Sequence, residues 1–288
     1  MCSSLLFIRY AAKRRVRERA SAGHKEMADQ VVGELVGSSS TVLVRGEAAC
    51  RSLHAWQGGA FGDLLICDAV SGHAITGQPP GPKGARRPPG SYVVMLRLRA
   101  WEAIYLGFET CPPRLKVVDV PAAGDADVHA LTFSQVEEAA AAIAAQAPAL
   151  ELEPCWMALT QAEPQLPQLY AAYHALRHAG WFIRDGFKFG FDFALYDSTG
   201  PPARHAPLGA LVLTREDEGE RSWLWLQRHA RVCHSVGKGL LLCRVDEPND
   251  EAASGADQGS RAIPPRLGVR TMRVDGWNAG REHAILSN

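Results

Sequence analysis

The chain has 288 residues, 47% apolar and 22% charged, the profile of a folded protein with room for one large core or two modest ones. Lys plus Arg number 31, as do Asp plus Glu, so the net charge is zero; a basic nucleic-acid coat and an acidic tail are both excluded, and any nucleic-acid contact must come from a local patch. No run approaches the roughly 20 apolar residues of a membrane span, and seven scattered cysteines without a Cys-x-x-Cys argue for a reducing compartment rather than a disulfide framework or zinc knuckle.

Residues 1–40 read as a basic tail. Arg9, Lys13, Arg14, Arg15, Arg17, Arg19 and Lys25 face only Glu18, Glu26 and Asp29 within the first thirty residues. Residues 41–150 read as a small α+β domain. Thr41–Val44 is a short β-type run, and Gly58 to Gly62 is glycine-rich. Gln78–Gly90 (QPPGPKGARRPPG) cannot pack a core and reads as an exposed loop. Tyr92–Leu98 and Leu115–Val120 read as strands, with an apolar helix-like segment, Trp101–Phe108, between them. Ser134 with Glu137 forms a capping box that starts a helix, and Pro148 ends it.

Residues 155–288 read as a second, mixed domain. Leu166, Leu169, Tyr170, Tyr173 and Leu176 recur at helical spacing, with Gly180 as the stop. Trp181–Arg184, Phe187–Tyr196 and Leu208–Leu213 read as strands, Ser222–Val236 as a helix, Gly239–Val245 as a buried strand and Leu267–Val274 as a last strand. Residues 247–261 are polar and read as a flexible insert. There is no P-loop, no dinucleotide fingerprint and no G-x-S-x-G elbow. His229 and His234, five apart on one helix, do not share a face for a metal.

Taken in order, Tyr173–Trp181 (YHALRHAGW), Gly186–Tyr196 (GFKFGFDFALY), Arg204-His205-Ala206 and Arg231–Cys243 (RVCHSVGKGLLLC) resemble the catalytic domain of the tRNA-splicing endonucleases over about residues 165–245. The form of 181–205 is most similar to the eukaryotic catalytic subunit that cuts the 5′ splice site. The resemblance implies an α/β (α+β) chain: a small N-terminal α+β domain, then a C-terminal mixed-sheet nuclease domain of restriction-endonuclease-like type.

The resemblance also implies a catalytic Tyr-His-Lys trio, falling on Tyr196, His205 and Lys238. RNA cleavage without metal uses the RNA's own 2′-hydroxyl as nucleophile. One group must take its proton, one must protonate the departing 5′-oxygen, and one must steady the charge on phosphorus. The family assigns these to Tyr, His and Lys. A nearby ammonium favours the tyrosinate that such a base requires. An RNA clamp is implied at Arg231 and Trp277, by cation–π attraction and stacking. Arg184, Lys188, Arg204 and Arg228 read as solvated cations that line the phosphate path only on a bolder reading.

The implied activity is excision of introns from precursor tRNA, leaving 2′,3′-cyclic phosphate and 5′-hydroxyl ends, with no metal or other cofactor. The implied partners are precursor tRNA, a second catalytic subunit and two structural subunits, in a heterotetramer. The nucleus is the expected compartment, with the mitochondrial outer surface or cytoplasm as alternatives. A sibling subunit cutting the 3′ splice site and a non-catalytic tRNA-binding structural subunit are the rival readings.

Overall fold

The computed structural model describes residues 31–36, 40–55, 61–75, 91–109, 115–120, 132–197, 206–214, 222–246, 263–265 and 267–274. The basic segment 1–30, the loop 78–90 and the insert 247–261 lie outside them. Two compact units divide between Pro167 and Gln168.

In the first unit the strands are β1 (Val31–Val36), β2 (Thr41–Arg45), β3 (Asp63–Asp68), β4 (Tyr92–Arg99) and β5 (Leu115–Val120). They lie in the order β3-β4-β2-β1-β5, with β1 and β5 parallel and the other pairs antiparallel. The helices are α1 (Glu47–Ala55), α2 (Ala100–Ile104, continued by a π turn at Tyr105–Glu109), α3 (Phe133–Gln146) and α4 (Leu152–Ala162). Alternation builds the core in the ordinary way: Val42 and Val44 point inward and are fully buried.

Three expectations need correction. The basic tail does not reach residue 40, because Val31–Val36 is a strand inside the sheet. Glu34 breaks the apolar run there, yet it is buried because the Arg45 Nε donates to its carboxylate at 2.7 Å. Helix α3 is capped by Thr132, not Ser134: Gln135 N–H donates to Thr132 Oγ1 at 3.4 Å, and Thr132 N–H donates to Gln135 Oε1 at 2.9 Å. Glu137 is drawn instead into an ion pair with Arg45. Finally, α4 packs on α2 and falls within the first unit, so the second begins later than residue 155.

In the second unit the strands are β6 (Phe182–Asp185), β7 (Phe193–Tyr196), β8 (Leu208–Leu213), β9 (Gly239–Asp246) and β10 (Gly268–Val274). They lie in the order β10-β9-β8-β7-β6. Only β8 and β9 pair in parallel, joined across α6 (Trp223–Ser235), as parallel neighbours require. Helix α5 is Leu166–His178 and ends before Gly180, as its spacing predicts. The two sheets with their helices are the α+β architecture expected.

Register decides which residues share a face. Phe193 pairs with Ala210 and Ala210 with Leu241, and Phe193 meets Tyr173 of α5 at 6.2 Å between ring centroids. Leu211 pairs with Leu242 on the opposite face, where both pack with Phe191, Leu240 and Cys233 of α6. The sheet is therefore covered by α5 on one face and α6 on the other.

Phe187–Tyr196 is not one strand. Phe187–Phe189 forms a 3-10 turn closed by Gly190 at φ +75°, and only Phe193–Tyr196 is extended. The turn returns Phe191 into the core against Gly209, where a Cβ would stand 2.3 Å from the Phe191 ring. Gly209→Ala is accordingly expected to destabilise the protein by ~1–3 kcal/mol through overpacking, read as a lowered melting temperature. Phe191→Leu in the same chain should recover part of the loss, and independent, additive effects would show the contact to be immaterial.

Candidate active site

At one end of the C-terminal sheet three strands bring distant residues into a row. Leu195 pairs with Leu208, and Leu208 with Gly239. One step further along the same register, Tyr196, Pro207 and Lys238 stand abreast. The ladder does continue there, since Gly239 N–H donates to the Pro207 carbonyl at 2.9 Å. With strands ~4.8 Å apart, the Tyr196 and Lys238 backbones are ~10 Å apart.

Alternation along β7 puts Tyr196 on the same face as Ala194, which pairs with Gly209, so it faces the α6 side of the sheet. Tyr196 is half-buried at the strand end, and Asp197 beyond it is exposed.

Lys238 lies on that side too. It follows the C-terminal end of α6, and its N–H donates to the Cys233 carbonyl at 2.8 Å. The residue is only 8% exposed. The ammonium donates to the Ala206 carbonyl at 2.7 Å and stands 4.8 Å from the centroid of the Phe189 ring, which packs against the α6-side core. The flanking glycines leave the lysine firmly placed. An ammonium carries three N–H groups, and Ala206 occupies one of them.

His205 and Trp277 lie outside the described residues. Ala206, the residue after His205, is buried, and its carbonyl accepts from the Lys238 ammonium. Arg231 is exposed on α6, as is Arg228; the helix sequence WLWLQRHARVCHS holds no carboxylate. Lys188 is exposed in the 3-10 turn, Arg184 is half-buried on β6, and Arg204 lies outside the described residues. The structure thus brings together Tyr196, Lys238 and the backbone beside His205.

Sequence reasoning missed the supports. Phe189 under the ammonium and the Ala206 carbonyl were not singled out, though the aromatic-cation-aromatic run Phe187-Lys188-Phe189 was visible. Asp192 was missed as well: its Oδ2 accepts from Val212 N–H at 2.7 Å and ties the turn to β8. Among the described residues cysteine chemistry does not compete for the site. Burial pushes the Cys50, Cys155 and Cys243 thiols up to about 12 and Cys233 up to about 11, so none supplies a thiolate nucleophile near neutral pH.

Comparison with known proteins agrees with this part of the chain. Residues 166–252 match the family described as tRNA intron endonuclease, catalytic C-terminal domain. The mouse tRNA-splicing endonuclease subunit Sen2 is 31% identical over 135 residues, covering 45% of this chain and 29% of that protein. Subunit SEN2 of Eremothecium gossypii is 42% identical over 89 residues, covering 29% and 24%. The tRNA-splicing endonuclease of Sulfurisphaera tokodaii is 37% identical over 86 residues, covering 30% and 46%. The chain therefore spans less than half the length of these relatives. The expected resemblance over 165–245 is borne out over 166–252, and it is of the Sen2 type.

Lys238→Met keeps the aliphatic stem and removes the charge. Losing a charge-assisted hydrogen bond of ~1.5–3 kcal/mol should release the Ala206 carbonyl and speed amide exchange at Gly239 by about tenfold or more, with β4 amides unchanged. Unaltered exchange at Gly239 would show that the ammonium does not hold this corner.

Proposed function

We propose that this chain is an endoribonuclease subunit that excises introns from precursor tRNA, cutting at the 5′ splice site. The observation that carries the reading is the placement of Lys238. Its buried ammonium grips the residue after His205, in the same row and on the same sheet face as Tyr196. The relatives named as tRNA-splicing endonuclease subunits support the reaction, and the form of residues 181–205 supports the 5′ assignment.

In this reading Tyr196, as its anion, takes the proton of the 2′-hydroxyl. The resulting oxygen attacks the adjacent phosphorus, and the bond from phosphorus to the 5′-oxygen breaks. His205 gives its proton to that departing oxygen. The Lys238 ammonium steadies the negative charge on the phosphoryl oxygens with the N–H groups that Ala206 does not use. The products are a 2′,3′-cyclic phosphate and a 5′-hydroxyl, and every proton is accounted for by the chain's own groups, so neither metal nor cofactor is called for.

Arg231, exposed on a helix without carboxylates, and Trp277 would hold a base beside the scissile bond by stacking, which suits a protein whose overall charge is zero. Partner subunits complete the assembly in this reading, in a heterotetramer of two catalytic and two structural chains. The outer strand β10 offers a joint: it pairs with β9 on one side, and most of its residues are exposed. Among the described residues no helix is long and apolar enough to cross a membrane. The nucleus, where precursor tRNA is made, is the compartment we assign.

The test is cleavage of an intron-containing precursor tRNA in EDTA by the chain co-expressed with its partner subunits. The wild type should leave cyclic phosphate and 5′-hydroxyl ends. His205→Ala should lose cutting at the 5′ junction by ~100-fold or more, the scale of general acid catalysis, and leave the 3′ junction intact. Loss at the 3′ junction alone would reassign the chain to the other site, and unchanged cutting at both would remove it from catalysis.

A further inference from the structure

The C-terminal half of α5 places two imidazoles against each other. His174 and His178 are four residues apart and so share a face of the helix. Their Nε2 atoms stand 3.1 Å apart and their ring centroids 4.3 Å apart. His178 is exposed and His174 half-buried. As it stands the contact is a hydrogen bond, one Nε2–H donating to the other Nε2.

The same separation is what two imidazoles adopt on one metal ion. With metal–nitrogen bonds of ~2.0–2.1 Å, a tetrahedral ion holds its ligand nitrogens ~3.3 Å apart and a right-angled pair ~2.9 Å apart. We propose that His174 and His178 form a bidentate site for one divalent late transition-metal ion of the Zn2+, Ni2+ and Cu2+ group.

Three features support it. Imidazole suits these ions, with affinity rising toward copper. His178 sits in the last turn of its helix, where the backbone dipole presents its negative end to a cation. The neighbouring cation, Arg177, lays its guanidinium toward the Phe182 ring, 6.0 Å from its centroid. Binding also needs no net deprotonation of a neutral pair: the donor imidazole moves its proton from Nε2 to Nδ1, and the two rings turn so that both Nε2 lone pairs meet the ion. Among the described residues no group of three or more His, Cys, Asp or Glu side chains converges, so water completes the coordination and the ion exchanges readily. His229 and His234 make a contrast: at five residues apart they do not converge, and His229 Nδ1 bonds the Trp225 carbonyl at 2.9 Å. The proposal stands independently of the endonuclease reading, since no member of the Tyr-His-Lys trio takes part.

The full chain, untagged and freed of metal with EDTA, would be titrated with Ni2+ and, separately, Zn2+ by calorimetry, with melting followed in parallel. One ion per chain should bind saturably, and the melting temperature should rise with ion concentration, because the native helix alone offers the paired ligands. His174→Gln and His178→Gln should each weaken binding by about tenfold or more through loss of the chelate, with melting in EDTA unchanged. His178→Ala combined with Ala179→His keeps the histidine count, moves the second imidazole off the face, and should lose the thermal gain. Absence of saturable binding, or variants that bind as the wild type does, overturns the site.

Discussion

A buried ammonium is expensive: an ion taken out of water loses several kcal/mol of hydration unless its surroundings replace it. Lys238 meets that demand with the Ala206 carbonyl and the Phe189 ring, and much of the C-terminal unit follows from keeping those two groups in place. Phe189 is where it is because Gly190 closes a 3-10 turn. That turn is anchored because Phe191 fills the space that Gly209 leaves empty and Asp192 accepts from Val212. Ala206 is within reach because β8 and β9 run parallel, which brings their N-terminal ends together and requires the α6 crossover. The chemical corner and the core are thus one construction.

The N-terminal unit applies the same rule to opposite charges. Glu34 is buried in β1 and accepts from Arg45 of the neighbouring strand, and Glu137 of α3 joins the same guanidinium. Glu102 is buried in α2; its two oxygens accept from the backbone N–H groups of Gly62 and Arg99, each at 2.9 Å. Each carboxylate ties segments distant in sequence. Removing a single partner would leave a buried charge uncompensated, which makes these contacts specific as well as stabilising.

Local signals carried much of the fold. The helix 166–178, the buried runs 208–213 and 239–246 and the helix 223–235 each announce themselves through period or continuous apolar character. Strand β1 did not, because Glu34, on the face opposite Val42 and Val44, imitates an exposed position until Arg45 is known to lie beside it. The cap of α3 was misplaced by two residues because two capping boxes overlap, and only the ion pair of Glu137 with Arg45 separates them. The extended reading of 187–196 failed because aromatic residues favour strands, whereas Gly190 at positive φ folds them into a turn.

The amino-acid order alone sets the types Tyr196, His205 and Lys238 and their spacing, as it does the four-residue step between His174 and His178. Tertiary structure alone decided that Tyr196 and Lys238 share a sheet face and a row. That depends on the register of three strands, which joins two residues more than forty positions apart, and no local pattern encodes register. It alone also decided that a lysine between two glycines is buried and paired, since the groups that hold it, Ala206 and Phe189, come from elsewhere in the chain. Burial and pairing are properties of the packed interior, and they arise only when distant segments exclude water together.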